Sequence, residues 1–198
     1  MPKYKDDNSF HFSYDVGRME ALKKMVTTNG YHNKMFDTIS NLNNQKQIIE
    51  NSKLEIEDII FSIKNMNLNE SEKKFLNLIV EEARSNFYME FNQDDIAFLL
   101  IKRNFKGFIR IAHNKAEEES KDYYNGAEFI IDLLNIHSYE KGEGHKMMKR
   151  VLRLSKELKL PISLWTETNE NVLYFENYGF KNVGQLGDNG EYLMVLLN

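Results

Sequence analysis

The sequence predicts a protein of the α/β class, of the α+β type, in which a mixed, twisted β-sheet is flanked by helices. Up to about residue 92, apolar side chains recur at the spacing of amphipathic helices. Later stretches are short, rich in branched and aromatic residues, and bounded by turn residues. The 198 residues, 41% of them hydrophobic, suffice for one domain with a sizeable core. We therefore divide the chain into a mainly helical part, residues 1–92, and a sheet-containing core, residues 93–198.

The helical part contains three segments with an apolar stripe. Residues 15–30 form the first, and Gly30 fits the position that ends a helix. Residues 54–66 form the second. The polar sequence NLNNQKQ, residues 41–47, lies between them and predicts a turn or a frayed segment. This part of the chain therefore reads as helices joined by short polar connections, which we expect to cover one face of the sheet.

The third helical segment, residues 69–87, has the clearest start. Asn69 is followed three residues later by Glu72, which is the pattern of a capping box. Its apolar stripe runs to Phe87. A short strand at FHFSY, residues 10–14, is a weaker expectation.

The second half alternates strands and helices. Two strands, residues 96–103 and 107–114, are joined by NFKG and predict a hairpin. The third strand, residues 128–136, is apolar on both faces and therefore central. A helix follows the next turn as far as Lys159 and is stopped by Pro161. The remaining elements are a strand at residues 162–168, a short helix ending at Gly179, and a final strand at residues 191–197.

Composition excludes several classes of function. Cysteine is absent, so disulfides, thiolate metal sites and a cysteine nucleophile are excluded. The five histidines show no metal-binding spacing, and we expect no metal. The net charge of −4 lacks the basic footprint of a nucleic-acid binder. No apolar run of about 18 residues predicts a membrane span, and the first residues do not resemble a secretory signal. These features predict a cytoplasmic protein without nucleic-acid or membrane partners.

The sequence SYEKGEGHKMMKRVL, residues 138–152, joins the central strand to a basic helix through Gly142 and Gly144. The first turn of a helix leaves backbone N–H groups unpaired, and its dipole favours an anion. Glycines allow the backbone to approach a phosphate closely, and Lys141 adds a cation. The alternative is a turn that only connects the two elements. The stretch is neither a Walker A loop nor a dinucleotide fingerprint, because Met147 stands where the latter needs a third glycine.

The order of these elements resembles the GCN5-related N-acetyltransferase (GNAT) superfamily over residues 94–198. That family carries an Arg/Gln-x-x-Gly-x-Gly/Ala turn, matched here by residues 139–144. It also carries a later Asn-x-x-x-Tyr-Glu-x-x-Gly-Phe segment, matched by residues 171–180. The resemblance implies that acetyl-CoA is the cosubstrate, that the turn binds its pyrophosphate, and that the central strand grips its pantetheine arm. The cofactor contacts implied in this way are Leu134, Asn135, Ile136, Tyr139, Lys141, Gly142, Glu143, Gly144, His145, Asn171 and Phe175.

Two positions depart from the family pattern. Tyr139 replaces the usual Arg or Gln of the turn, and Phe175 occupies the position of the usual tyrosine. Tyr174 lies one residue earlier, and such a shift turns a helical side chain by about 100°. We assign Tyr174 as the donor of a proton to the leaving thiolate, and leave open whether it reaches the same point.

Asp132 is the candidate base. Strand alternation predicts that it shares one face with Glu128, Ile130, Leu134 and Ile136. A carboxylate among apolar neighbours acquires a raised pKa, which suits it to accept a proton from an amine. The alternative is a carboxylate paired structurally with an Arg or a Tyr.

The sequence as a whole predicts an N-acetyltransferase that moves the acetyl group of acetyl-CoA to a primary amine of a small molecule or a protein. The alternative is a catalytically weak or inactive GNAT-fold protein that binds CoA and has a regulatory role. The identity of the amine acceptor stays open, and the helical part could shape the acceptor site or a homodimer contact.

Overall fold

The computed structural model describes residues 29–92 and 96–198, with side chains from Lys34 onward. The helices are α1 (Asn29–Ser40), α2 (Leu42–Asn65), α3 (Glu70–Ser85), α4 (Glu143–Leu158) and α5 (Asn169–Glu176). The strands are β1 (Phe87–Asn92), β2 (Ala97–Lys102), β3 (Gly107–Lys115), β4 (Phe129–Ser138), β5 (Ile162–Thr166), β6 (Lys181–Gln185) and β7 (Tyr192–Leu196). A 3₁₀ helix, Glu118–Tyr124, lies between β3 and β4.

The strands form one seven-stranded sheet in the order β1-β2-β3-β4-β5-β7-β6. The pair β4–β5 is parallel, and the other neighbouring strands are antiparallel. A parallel pair needs a crossover connection, which α4 supplies. The mixed sheet with its flanking helices confirms the predicted fold class.

The main core lies where α3 and α4 pack on one face of the sheet. Phe75 and Ile79 of α3 and Met148 and Val151 of α4 are fully enclosed there. Ile131 of the central strand belongs to the same cluster. Burying side chains of this size stabilises the fold by about 1.5–3 kcal/mol each. Packing against the central strand thus fixes where α4 begins, and α4 carries the glycine turn at its start.

Helix α2 covers the edge of the sheet. Its Ser52 is buried, and the Ser52 hydroxyl accepts a hydrogen bond of 2.8 Å from the backbone N–H of Met89 on the edge strand β1. Within the described ranges, no helix combines the length and apolar character needed to cross a membrane.

Several sequence predictions of the helical part are corrected by the structure. The predicted strand at residues 10–14 and most of the helix at residues 15–30 lie outside the described residues. Gly30, predicted to end a helix, lies in the first turn of α1. Residues 41–47 are not a turn, because Asn41 caps α2 and the helix continues from there. Phe87 does not extend α3 but begins β1, a strand that the sequence did not predict.

The central strand contains a bulge that the sequence did not predict. Arg110 of β3 faces Asn135, whereas its neighbour Ile111 faces Leu133, so Leu134 has no partner of its own on β3. A bulge of one residue reverses the alternation of side chains beyond it. The prediction that five residues from Glu128 to Ile136 share a face is therefore wrong: Ile136 packs in the main core and Ile130 in a second cluster.

Beyond the bulge, β4 and β5 separate. Their register consists of Ile131 with Ile162 and Asp132 with Ser163. β5 stays paired with β7 as far as Thr166, and β4 runs on to Ser138. The β5-facing edge of β4 is thus left without a strand partner in this part of the described chain, and α4 begins just beyond its end.

Candidate acetyl-CoA site

The start of α4 is an open helix end. Gly142 precedes the helix with φ of 87°, a conformation that favours glycine, and no side chain caps the helix there. The N–H of Glu143 bonds to the carbonyl oxygen of Glu140 at 3.2 Å. Gly144 and His145 follow in the first turn, where helix geometry offers their N–H groups no carbonyl within the helix. This end of α4 can therefore receive an anion.

Gly144 lies against two hydroxyl groups. A Cβ atom on Gly144 would stand 3.4 Å from both the Ser138 Oγ and the Tyr174 hydroxyl oxygen. The end of β4, the start of α4 and the helix α5 therefore converge at this point. The Tyr174 hydroxyl thus reaches the glycine turn despite the one-residue shift, and its role as a proton donor stays a prediction.

The Tyr174 hydroxyl takes part in a hydrogen-bonded chain. It accepts a bond of 3.2 Å from the Tyr178 hydroxyl, which also lies 2.9 Å from the Nδ1 of His145. Burial raises the pKa of Tyr174 above its usual value. The side chain is thus kept protonated, which is the state that a proton donor needs. Sequence reasoning missed Tyr178, although its position four residues after Tyr174 was the available signal.

Phe175 and Asn171 occupy different environments on α5. Phe175 is buried in the main core, with its ring 5.7 Å from that of Phe180. Asn171 is exposed, and its backbone N–H donates to the capping Thr168 Oγ1 at 3.2 Å. The core position of the Phe175 side chain favours packing as its role, and the cofactor contacts of both residues stay predictions.

Glu143 is turned inward and neutralised. Its buried carboxylate forms ion pairs with Lys102 of β2 and, at 2.7 Å, with Lys146 of α4. Hydrogen bonds from Lys102 first, and from Lys146, lower the pKa of Glu143. The carboxylate therefore anchors the helix start to the sheet without leaving an uncompensated negative charge beside the anion site. Lys141 is exposed next to Gly142.

Tyr139, which stands where the GNAT pattern has Arg or Gln, belongs to an aromatic cluster. Its ring centroid lies 4.9 Å from that of Phe36 in α1 and 4.7 Å from that of His137. The Tyr139 N–H donates to the carbonyl of Lys106 at 2.9 Å. Through this cluster, the helical part of the chain contacts the glycine turn.

The bulged segment of β4 contains Leu134, Asn135 and Ile136. Asn135 is buried, and its Oδ1 has no hydrogen-bond partner among the described residues. A buried polar atom without a partner is costly, so this oxygen is available to a donor on a ligand. Bulges are frequent beside active sites because they re-aim the backbone.

Asp132 lies at the point where β4 and β5 begin to separate. Its carboxylate is enclosed by protein atoms, although the residue keeps some accessible surface, and burial raises its pKa to about 6. Asn114 and Ser163 donate hydrogen bonds to it, and Ser163 in turn accepts from the Tyr124 hydroxyl at 3.2 Å. The carboxylate thus has polar partners but no ion pair among the described residues, which keeps it able to take up a proton. Sequence reasoning missed both Asn114 and Ser163.

Comparisons with known proteins give distant likenesses. No protein-family model matches the sequence. The endonuclease MutS2 of Fusobacterium nucleatum subsp. nucleatum is 24% identical over 177 residues, which is 85% of this chain, and the chain spans 22% of that protein's length.

Two solved structures are similar in part. The Bacillus subtilis N-acetyltransferase YlbP in complex with coenzyme A has a TM-score of 0.37 and 17% identity, over 65% of this chain and 88% of its own. AtaTR bound with AcCoA has a TM-score of 0.34 and 13% identity, over 63% of this chain and 80% of its own. At TM-scores of this size the likeness assigns no residue a role.

Proposed function

We propose that the protein is an acetyl-CoA-dependent N-acetyltransferase that acetylates a primary amine. The observation that carries the proposal is the meeting of the Tyr174 hydroxyl with Gly144 at the open start of α4, beside the gap between β4 and β5. An anion-binding helix end for the pyrophosphate and a protonated tyrosine for the leaving sulfur are two parts that transfer from a CoA thioester requires. The Gly144 position, which a Cβ would narrow, fits the close approach of a phosphate.

The binding part rests on the glycine turn. The N–H groups of Gly144 and His145 would hold the pyrophosphate, with Lys141 as an exposed cation nearby. The unpaired edge of β4 would hold the extended pantetheine arm through backbone hydrogen bonds, in the manner of an added strand. Both contacts use backbone groups, so they tolerate Tyr139 and Phe175 in place of the family's residues.

The two proton transfers of the reaction are assigned to two side chains. Acetyl-CoA supplies the acetyl group as a thioester, whose carbon–sulfur bond breaks as the new carbon–nitrogen bond forms. Asp132 lies six residues before Ser138 on β4, roughly 20 Å along the strand from the Tyr174 hydroxyl. It would therefore take up the proton of the attacking amine through a chain of water molecules. The amine must lose this proton because only a neutral amine has a free electron pair. Tyr174 donates its proton to the departing sulfur. Holding the reactants in line contributes a large share of such a rate enhancement.

A cationic acceptor is favoured by the charges around Asp132. The exposed Glu117, Glu118 and Glu119 precede or begin the 3₁₀ helix, whose Tyr124 bonds to Ser163 beside Asp132. Glu117 acts on Asp132 at a distance and adds to the rise of its pKa. An acidic rim of this kind raises the local concentration of an ammonium group.

The first experiment measures binding and turnover separately. Calorimetric titration with acetyl-CoA should show binding, and CoA release should then be followed with polyamine, aminoglycoside, amino-acid and peptide amines. We expect turnover with at least one class. Binding without turnover of any amine would favour a regulatory CoA-binding protein, whereas absence of acetyl-CoA binding would contradict both functions.

The pH dependence of turnover tests the role of Asp132. A base must be deprotonated, and burial raises the pKa of Asp132 to about 6. We therefore expect kcat/KM for the acceptor to fall as the pH drops below about 6, by about tenfold per unit once the group is protonated. Asp132→Asn should be slow and should lose this acidic limb. An unchanged limb in Asp132→Asn would assign the titration to another group.

A further inference from the structure

Tyr174 is the inner end of a chain of hydrogen bonds that leads to the protein surface. The chain runs from the Nδ1 of His145 to the Tyr178 hydroxyl over 2.9 Å, and from there to the Tyr174 hydroxyl over 3.2 Å. His145 is exposed, while Tyr178 and Tyr174 are half-buried. The two ring systems of Tyr174 and Tyr178 lie edge to face, with centroids 5.1 Å apart, which holds their hydroxyls together.

The chain has the direction in which the Tyr178 hydroxyl donates to that of Tyr174. A phenol has one hydroxyl proton, and Tyr178 uses it in this bond. Tyr178 can therefore only accept from His145, which requires the proton of the neutral imidazole to sit on Nδ1. Likewise, Tyr174 accepts from Tyr178, so its own proton is free to point elsewhere. The Gly144 backbone and the Ser138 Oγ lie on that side. All the donors thus point from the surface toward the glycine turn.

A tyrosine that gives up its proton must recover it before the next turnover. The environment of Tyr174 disfavours a phenolate, because burial raises its pKa. Tyr178 is the group within hydrogen-bond distance that can return a proton, and His145 connects Tyr178 with solvent.

We propose that His145 and Tyr178 form a proton relay that reprotonates Tyr174 from solvent after each acetyl transfer. This inference rests on the proposed function. When the Tyr174 proton goes to the leaving sulfur, the Tyr178 proton moves to Tyr174 and the Nδ1 proton of His145 moves to Tyr178. His145 takes a new proton from water at Nε2 as Nδ1 releases its own. Before the next turnover the imidazole loses the Nε2 proton to water and regains one at Nδ1, and the two hydroxyls rotate back. No bond to carbon changes and no oxidation occurs, and one proton enters for each one delivered. Tyr178 and His145 are positioning and proton-transfer residues, and Tyr174 alone contacts the reacting sulfur.

The first test needs neither acetyl-CoA nor an acceptor. Nitrogen-15 chemical shifts of the His145 ring in the full chain report which nitrogen carries the proton when the ring is neutral. The relay predicts a protonated Nδ1, and Tyr178→Phe should shift the proton toward Nε2, because the acceptor hydroxyl is removed. A neutral His145 protonated at Nε2 in the wild type would reverse every bond of the chain and overturn the relay.

The second test separates proton delivery from cofactor binding. Tyr178→Phe and His145→Gln should each lower kcat by about tenfold, part of the full acid–base effect of about a hundredfold or more, and leave the Kd for acetyl-CoA unchanged. Tyr123→Phe is the matched control, since Tyr123 is exposed on the 3₁₀ helix and should keep wild-type kcat. Added imidazole should restore part of the kcat of His145→Ala, because the histidine faces solvent.

The outcomes distinguish a failure of the proposed relay from a failure of the proposed acetyltransferase activity. An active wild type whose Tyr178→Phe and His145→Gln variants keep full kcat would overturn the relay and leave the acetyltransferase assignment intact. A rise in Kd without a fall in kcat would reassign His145 to cofactor binding and also overturn it. A wild type that transfers acetyl to no amine would overturn the proposed function itself, and the relay with it.

Discussion

Helices α3 and α4 pack side by side on the sheet, yet they begin in opposite ways. At the start of α3, the Asn69 side chain accepts the N–H of Glu72 at 2.9 Å, and the Glu72 carboxylate accepts the N–H of Asn69 at 2.8 Å. At the start of α4, Gly142 offers no side chain at all, and no cap is formed. In both helices, the backbone N–H groups of the first turn have no carbonyl partner within the helix. The side chains of α3 satisfy them, whereas those of α4 leave them open to the anion that we propose.

The charges at the two starts differ in the same sense. Glu70 and Glu72 lie in the first turn of α3, where carboxylates complement the positive end of the helix dipole. The first turn of α4 contains Glu143, but Lys102 and Lys146 neutralise it. The positive end of α4 thus stays available to an external anion. A helix start whose own side chains bind the free N–H groups stabilises the fold. A start without such side chains leaves those groups accessible to a ligand.

The largest expected effect concerns the hydroxyl that lies at the open start. Tyr174→Phe should lower kcat by about a hundredfold, because it removes the proton donor that we propose for the leaving sulfur. The Kd for acetyl-CoA should stay nearly unchanged, because the ring still packs against Phe175 and Tyr178. Steady-state kinetics with the best acceptor, together with calorimetry, give both values. An unchanged kcat would remove Tyr174 from the chemistry and leave the open start of α4 as a binding feature only.

A smaller effect is expected from filling the open start. Gly144→Val should weaken acetyl-CoA binding at least tenfold, about 1.4 kcal/mol, because its methyl groups would crowd Ser138, Tyr174 and the incoming phosphate. Lys156→Val, near the other end of α4, introduces the same side chain and is the control. Thermal unfolding must show that Gly144→Val is folded. If a folded Gly144→Val protein binds acetyl-CoA normally, the uncapped start of α4 is not the phosphate site. The contrast with α3 would then have no bearing on ligand binding.

The closed start should respond in the opposite way. Asn69→Ala removes the cap of α3 and should lower the free energy of unfolding by about 1 kcal/mol, with no change in acetyl-CoA affinity. Chemical denaturation and calorimetry measure the two quantities. Glu70→Gln, at an exposed position of the same turn that makes no cap, should change stability less. A loss of acetyl-CoA affinity in Asn69→Ala would mean that the two helix starts are not independent.

The smallest expected effect is on the KM of the acceptor, from substitutions that are distant from both helix starts. Changing Glu117, Glu118 and Glu119 together to Gln should raise the KM of a cationic acceptor a few-fold, because the acidic rim no longer attracts it. The KM of acetyl-CoA should not change. The effect should shrink at high salt, where exposed charges are screened. Equal acceptor KM values for mutant and wild type at low salt would limit recognition of the substrate to the region between Asp132 and Tyr174.

Features encoded by short-range spacing could be predicted from the sequence. The capping box needs only Asn69 and Glu72 three residues apart, and the structure confirms it. The hairpin at NFKG and the central position of β4 follow equally from local pattern, and both are confirmed. The glycine turn belongs to the same class, since its position between a strand and a helix is written in adjacent residues.

Features that depend on a partner element could not be predicted. Phe87 continues the apolar stripe of α3, and only pairing with β2 makes it the start of a strand. The bulge at Leu134 arises from the register with β3, which no single strand encodes. In the same way, the contact of Tyr174 with Gly144 depends on how α5 packs against α4. The sequence therefore identified candidate groups, and their distances required the tertiary structure.

The hydrogen bond between Ser52 and Met89 also bears on how the protein avoids self-association. An edge strand with free N–H and C=O groups is a template for joining another sheet. At one edge, α2 occupies a donor of β1 with the Ser52 hydroxyl. At the other edge, β6 has a register shift between Asn182 and Gly184 and carries mostly exposed polar residues. Both edges are thus poor templates for continuous strand addition.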